Sequence, residues 1–171
     1  MIRPATDSDV PAMVEMGRRF ADTYRLPATM DHAADVLRQM IHSPNALVLV
    51  AQSDGMLVGL LVAAITGPWF DPTARVATEL AWWVDVEERN TAHGVRMVLE
   101  LERWAQEQGA THVCLSDLAA DDTFPYAKLF DRLGYKVVER CHVREILCWC
   151  CIPQWSRWVA LVTSDLLAAW S

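Results

Sequence analysis

The chain has 171 residues, 53% of them hydrophobic, which suits one compact domain with a sizeable core. Its formal charge is −7 and its only lysines are Lys128 and Lys136, which argues against a nucleic-acid-binding surface and favours a neutral or cationic partner. The N-terminal residues do not read as a signal segment, and no run of about 18 apolar residues predicts a membrane span, so we expect a cytoplasmic protein.

Two amphipathic helices are predicted in the first quarter of the chain. The first runs from about Asp7 to Tyr24 and begins with a capping box, in which Thr6 is the cap and Asp9 lies three residues later. The second covers about 29–42, with prolines outside both ends.

A β-hairpin and an aromatic loop are predicted next. Ala46 to Gln52 and Met56 to Ile65 are β-rich runs joined by an Asp-Gly turn, the pattern of an antiparallel hairpin. The loop at 66–72 is rich in proline and aromatic residues, and such a loop commonly covers a site. Aromatic walls suit an apolar or amine-bearing ligand, whereas core packing is the expected role of at least two of these rings. The rings predicted to line this site belong to Trp69, Phe70, Trp82 and Trp83, and we take Trp69, Phe70 and Trp83 as the candidate ligand-binding residues.

The stretch from Glu79 to Gly109 predicts an anion site. An apolar strand at 79–86 passes through a polar turn at 87–94 into a helix whose apolar residues recur at three- and four-residue spacing and which Gly109 ends. Such a turn aims unpaired backbone N–H groups at one point, where the helix dipole adds partial positive charge. We therefore predict a phosphorylated cofactor; the alternative is an ordinary crossover without a ligand.

Further strands are predicted near 111–115, 135–139 and 142–147, with a helix at about 123–133 between the first two. The order of elements gives a mixed sheet flanked by helices.

Three motifs in this order resemble the GCN5-related N-acetyltransferase (GNAT) superfamily. The sequence Arg89-Asn-Thr-Ala92-His-Gly94 resembles its acyl-CoA pyrophosphate loop, with Ala92 where a glycine is usual. An alanine is tolerated there if its φ is negative. The second motif, residues 127–135, resembles the late helix-to-strand segment, and residues 1–11 resemble the first strand and helix.

The resemblance implies an α/β (α+β) GNAT fold over residues 1–147: a mixed, mostly antiparallel twisted sheet of six to seven strands, about four flanking helices and splayed central parallel strands. It implies acetyl-CoA, or another short acyl-CoA, as cofactor. The cofactor-binding residues carried over in this way are Val84, Asp85, Val86, Arg89, Asn90, Thr91, Ala92, His93, Gly94 and Val95.

The resemblance also implies acyl transfer to a primary amine, for which we predict two catalytic residues. Glu79 is the candidate base, because a carboxylate in a half-dry cleft has a raised pKa; the alternative is a solvated glutamate at a strand end, and Asp85 is the second choice. Strand alternation would place Glu79 and Trp83 on one face. Tyr126 is the candidate acid, because Phe130 stands where the family commonly has tyrosine; alternatively Tyr126 is core and water protonates the thiolate.

The tail is not explained by the resemblance. Residues 148–171 are rich in tryptophan and cysteine, and we expect them to fold back on the domain or to form a homodimer contact. The cysteines lack paired Cys-x-x-Cys spacing, so no metal is predicted. Two function classes stay open: an N-acyltransferase with a small-molecule or peptide amine acceptor, or a CoA-binding regulatory module without catalysis.

Overall fold

The computed structural model describes residues 1–24, 30–68, 70–89, 91–116 and 126–138. The chain divides into two compact units, Met1–Lys128 and Leu129–Ser171. The elements are β1 (Ile2–Pro4), α1 (Val10–Tyr24), α2 (Met30–Ile41), β2 (Ala46–Ser53), β3 (Met56–Thr66), β4 (Val76–Val84), α3 (His93–Glu107), β5 (His112–Cys114) and α4 (Ala127–Leu133), with short 3₁₀ turns at Asp7–Asp9 and Val86–Glu88.

The five described strands form one sheet in the order β1-β2-β3-β4-β5. Pairing is antiparallel from β1 to β4 and parallel between β4 and β5, which confirms the predicted mixed, mostly antiparallel sheet. Six to seven strands were expected, but residues 135–138 form no strand, and the strand predicted at 142–147 lies outside the described residues.

The predicted capping box begins the first helical segment and also ties it to β1. The Thr6 backbone N–H donates to Oδ2 of Asp9 at 2.8 Å. Both terminal nitrogens of Arg3 donate to the Asp9 carboxylate, at 2.7 and 2.8 Å, which holds the pKa of Asp9 well below its usual range. Arg3 Nη1 also donates to the Pro4 carbonyl at the outer edge of β1.

The hairpin between β2 and β3 turns where the sequence predicts it. Asp54 and Gly55 both have positive φ, 48° and 82°, as a two-residue hairpin turn with right-handed strand twist requires. The end of α3 is also as predicted, since Gly109 has a φ of 69° two residues after the helix.

Helices cover both faces of the sheet. On one face, Met97 and Leu101 of α3 pack with Leu49, Leu61 and Ala63. On the other face, a second cluster joins residues of α1 to the sheet, with side chains of α2 against it: Met13, Met16, Val48, Val50, Leu60, Val62 and Trp83. Among the described helices, none has the length and apolar content needed to cross a membrane.

A β-bulge in β4 changes which residues share a face. Ala81 pairs with Val62 and Glu79 pairs with Ala63, so Leu80 is the extra residue between them. Cross-strand neighbours share a face, and Ala63 belongs to the α3 cluster. Glu79 therefore lies on the α3 face, whereas Trp83 lies on the face of α1. The prediction of a shared face for Glu79 and Trp83 is wrong, because the bulge interrupts the alternation.

Candidate active site

The most unusual polar side chain in the sheet is that of Glu79. It is only 8% exposed, and its Oε2 accepts the backbone N–H of Ser116 at 3.0 Å. Burial raises the pKa of Glu79 to about 7, and the hydrogen bond from Ser116 opposes this rise. The alternative of a solvated glutamate at a strand end is thus wrong. A carboxylate with a pKa near 7 can accept a proton at neutral pH.

Glu79 lies where β4 and β5 stop pairing. The parallel ladder contains three residue pairs and ends with Thr78 opposite Cys114. Immediately beyond it, the Glu79 carboxylate accepts the hydrogen bond from the Ser116 N–H that a backbone carbonyl of a paired strand would otherwise accept. Glu79 therefore marks the point at which the strands separate.

Beyond this point, successive residues of β4 direct their backbone N–H and C=O groups to opposite edges of the strand. The Asp85 N–H donates to Val58 of β3 at 2.9 Å, so Val84 turns its N–H and C=O towards the other edge. The Val84 carbonyl accepts Nε of Arg89 at 3.0 Å. The Asp85 N–H and the Val84 C=O therefore have partners within the chain. Both belong to the strand segment whose backbone was predicted to bind the cofactor.

The loop after β4 leads into an open helix end. Arg96 makes the first intrahelical bond of α3, from its N–H to the Ala92 carbonyl at 3.0 Å, and the His93 N–H donates to Thr91 Oγ1 at 3.3 Å. The N–H groups of Gly94 and Val95 precede that first bond and point out of the helix end. These groups and the helix dipole suit a phosphate or pyrophosphate.

Ala92 is accommodated in this loop with a negative φ. Its φ is −79° and its ψ is 4°, inside the range of ordinary residues. Because this φ is negative, the position does not require a glycine, despite the departure from the family pattern. Gly94 is closely packed, because a Cβ on it would stand 3.1 Å from Cζ2 of Trp82, tighter than most Cβ contacts.

Trp83 lies at the centre of a polar and aromatic cluster on the α1 face. Its Nε1 donates to Oδ1 of Asp85 at 2.9 Å, and Arg19 pairs with the same oxygen at 3.2 Å. The Arg89 guanidinium lies 4.7 Å from the Trp83 ring centroid, and Phe20 meets the ring edge-on. Trp83 is 6% exposed. Asp85, the second choice for the base, is thus held in an ion pair.

His93 is less exposed than its place in a loop predicts. Its side chain is 14% exposed, with Nε2 3.5 Å from Oε2 of Glu88. Its Nδ1 is buried and has no hydrogen-bond partner in the described part of the chain.

The rings of Tyr126 and Trp82 are in contact, tilted by 41° with centroids 5.2 Å apart. Trp82 shares the α3 face with Glu79 and also packs against Gly94, so its ring is close to both the candidate acid and the loop. The sequence analysis grouped Trp82 with the aromatic residues of the pocket but chose Trp83 as the binding residue of this pair. Two adjacent tryptophans in one strand were the signal, because one of them must face each side. Phe130 packs against Tyr135, with centroids 5.8 Å apart.

Several predicted residues are elsewhere or are not described. Phe70 is 72% exposed in the turn before β4. Asn90, Trp69, the tail and all cysteines except the exposed Cys114 lie outside the described residues. A groove of about 400 Å³ between β1, β2 and α3 contains none of the predicted site residues. No group of potential metal ligands occurs among the described residues.

Comparison with known protein families identifies the family of this chain. The sequence model of the Acetyltransferase (GNAT) family matches residues 14–135. An aminoglycoside 6′-N-acetyltransferase from Acinetobacter baumannii has a similar structure, with 23% identity, a TM-score of 0.66 and coverage of 86% of this chain and 98% of that one. The corresponding enzyme from Acinetobacter haemolyticus has 18% identity and a TM-score of 0.66, covering 86% and 99%.

A transcriptional regulator from Bacillus halodurans is similar as well, with 22% identity, a TM-score of 0.65 and coverage of 85% and 99%. At these identities the structures show the fold alone. No curated protein matches the chain in sequence.

Proposed function

This chain belongs to the Acetyltransferase (GNAT) family and is an acetyl-CoA-dependent N-acetyltransferase, and from that premise we propose that Glu79 is the base that deprotonates its amine acceptor. The observation that carries the proposal is the burial of Glu79 at the end of the β4–β5 ladder, with its pKa raised to about 7. Near neutral pH such a carboxylate exchanges a proton with an amine directly or through one water.

The loop residues are proposed to hold the cofactor. The N–H groups of Gly94 and Val95 would receive the pyrophosphate, and Arg89 in the preceding loop would add a positive charge. Asn90, Thr91 and His93 belong to the same proposed loop, and Val84 offers its N–H at the open edge of β4. The donor set fits an anionic ligand, because it consists of main-chain amides and a guanidinium at a positive helix end.

When bound, acetyl-CoA supplies the thioester whose C–S bond breaks as the amine nitrogen bonds to the carbonyl carbon. The chain's part is to move two protons. Glu79 accepts the proton that the amine loses, and Tyr126 donates one to the departing sulfur, with water as the alternative donor. Direct attack needs no covalent intermediate on the protein.

The acceptor is proposed to be a small-molecule or peptide amine that is neutral or cationic. The formal charge of −7 supports this, because an acidic protein attracts cationic partners. The similar structures include aminoglycoside acetyltransferases, whose named substrates are amines, so aminoglycosides belong in the screen. A cytoplasmic location is part of the proposal.

Calorimetric titration with acetyl-CoA and with CoA, followed by a thiol-release screen, tests this function. The screen covers aminoglycosides, polyamines, amino acids and peptide N-termini. Micromolar binding with thiol release on one amine class supports the proposal. Tight binding without release on any amine would favour a regulatory CoA-binding module, and absence of binding would refute the cofactor site.

A further inference from the structure

The ring of Trp83 supports the side chain of the loop residue Arg89. The Arg89 guanidinium carbon is 4.7 Å from the centroid of the Trp83 ring, and its Nε donates to the Val84 carbonyl at 3.0 Å. The two terminal nitrogens of Arg89 have no hydrogen-bond partner among the described residues. The guanidinium is therefore held by its face and its Nε, while the two nitrogens that best bind a phosphate stay available.

Val84 shows how near this guanidinium lies to the end of α3. A Cβ on Gly94 would stand 3.8 Å from Cγ2 of Val84, so the Val84 side chain lies against the first turn of α3 while its carbonyl binds Arg89. The N–H groups at the helix end and the Arg89 nitrogens are thus gathered around one residue. A ligand with two linked phosphate groups can contact both sets of donors.

Trp83 is itself fixed by contacts at its edge. Its Nε1 donates to Oδ1 of Asp85 at 2.9 Å, and Phe20 of α1 meets the ring edge-on with centroids 6.1 Å apart. Arg19, the neighbour of Phe20 in α1, pairs with the same Asp85 oxygen at 3.2 Å. The ring is packed in the core between α1 and the sheet, which leaves it one orientation. Helix α1 and Asp85 therefore determine where the face of Trp83 lies.

We infer that Trp83 is a positioning residue for the cofactor: it holds the Arg89 guanidinium where its terminal nitrogens meet the pyrophosphate. This inference rests on the proposed function, and it moves Trp83 from the acceptor pocket, where the sequence analysis placed it, to the cofactor side. An arginine that is already held in place loses less conformational entropy when it binds a ligand. Trp83 thus strengthens the phosphate contact without touching the phosphate.

A double-mutant cycle on CoA affinity, measured by calorimetry, tests this. Trp83→Phe keeps an aromatic residue in the core but removes Nε1 and offers a weaker ring face, so it should weaken CoA binding by about threefold to tenfold. Because Trp83 acts through Arg89, Trp83→Phe combined with Arg89→Ala should bind CoA within about twofold of Arg89→Ala alone. Trp104→Phe is the matched control, because Trp104 is a half-buried tryptophan of α3 that lines the groove beside β1; it should keep the wild-type affinity.

Steady-state kinetics with an accepted amine gives a second readout. Trp83→Phe should raise the KM for acetyl-CoA and leave the KM for the amine within about twofold of wild type. A rise in the KM for the amine alone would return Trp83 to the acceptor pocket and overturn the inference.

Arg19→Gln tests the outer support without changing the core. It removes the ion pair with Asp85 and should weaken CoA binding by about twofold to threefold. Arg18→Gln is its matched control, because Arg18 pairs with Glu15 and Asp22 of α1 itself, and its affinity should equal that of wild type. If Trp83→Phe does not fold, this pair decides, and equal CoA affinity of the two variants would overturn the inference.

Equal CoA affinity of Trp83→Phe and the wild type would also overturn it. So would losses from Trp83→Phe and Arg89→Ala that add in the double variant, or an unchanged affinity in Arg89→Ala. A failure of the proposed function gives a different result, since the wild-type protein itself would then not bind CoA.

Discussion

Replacing Glu79 by glutamine tests both the chemistry and the energetics of the site. Burial raises the pKa of Glu79 from 4.5 to about 7, which corresponds to about 3 kcal/mol at 1.36 kcal/mol per pKa unit. Below pH 4.5 the group is protonated in both the folded and the unfolded chain. Between 4.5 and about 7 the folded chain binds the proton more tightly, so stability falls as the pH rises.

Glutamine has no such titration. The unfolding free energy of Glu79→Gln, relative to wild type, should therefore rise by about 3 kcal/mol between about pH 5 and about pH 8.5. Urea titrations at several pH values measure it. Glu87→Gln is the control for the loss of one carboxylate, because Glu87 is exposed in the 3₁₀ turn after β4.

The same substitution should remove the base from catalysis. In the wild type, kcat should fall below about pH 7 as Glu79 becomes protonated. Glu79→Gln should lower kcat by about 10²- to 10⁴-fold and abolish that acidic limb, while CoA affinity changes little. Thiol release at saturating acetyl-CoA and amine is the assay, and a rise at higher pH from deprotonation of the amine itself should persist in both proteins. An unchanged acidic limb in the variant, or a stability difference that does not vary with pH, refutes the reasoning.

Three further predictions concern the loop and the first helix. Gly94→Ala should lower the free energy of unfolding by about 1–3 kcal/mol and weaken CoA binding, because the new Cβ meets Trp82. Gly17→Ala is the control: its Cβ meets no atom within 4 Å, so it should raise the free energy of unfolding by about 1 kcal/mol. Thermal unfolding measures both variants, and the same effect in both would contradict the prediction. Asp9→Asn should lower the free energy of unfolding by about 1.5–3 kcal/mol at pH 7. The difference from wild type should vanish on acidification, because the lowered pKa of Asp9 stabilises the fold only while the carboxylate is charged. A difference that persists at low pH would show that the charge is not the cause. Arg89→Ala should weaken CoA binding by about tenfold in calorimetry, because it removes a proposed phosphate contact. It also removes the contact of the guanidinium with the Trp83 ring and the hydrogen bond to the Val84 carbonyl. Unchanged affinity would exclude the phosphate contact.

Local patterns predicted the elements well. The capping box at Thr6, the Asp-Gly hairpin and the end of α3 at Gly109 each depend on residues within a few positions of one another. The apolar spacing of α3 likewise predicted its buried side, since Val98 and Leu101 are both fully buried. These signals need no knowledge of the rest of the fold.

The arrangement of the site depends on the register between paired strands, which cannot be predicted from a single sequence. The bulge at Leu80 arises from the register of β4 on β3. Because of it, Trp82 and not Trp83 lies on the same face of the sheet as Glu79. Trp83, expected near the acceptor, is buried beside Arg89, whereas Trp82 reaches Tyr126. The burial of Glu79 was expected only in part, because its partner is a backbone N–H that follows β5, far away in the chain.

The outer edge of β1 has a consequence for how molecules of this protein meet. The Ala5 N–H bonds to Val48, so Pro4 faces away from β2; as a proline it has no N–H to offer, and its carbonyl already accepts Nη1 of Arg3. A neighbouring molecule that approached as an additional strand would find neither donor nor open acceptor at that residue. An added strand along β1 would therefore lose its backbone ladder at Pro4, which disfavours edge-to-edge joining of two sheets at that position.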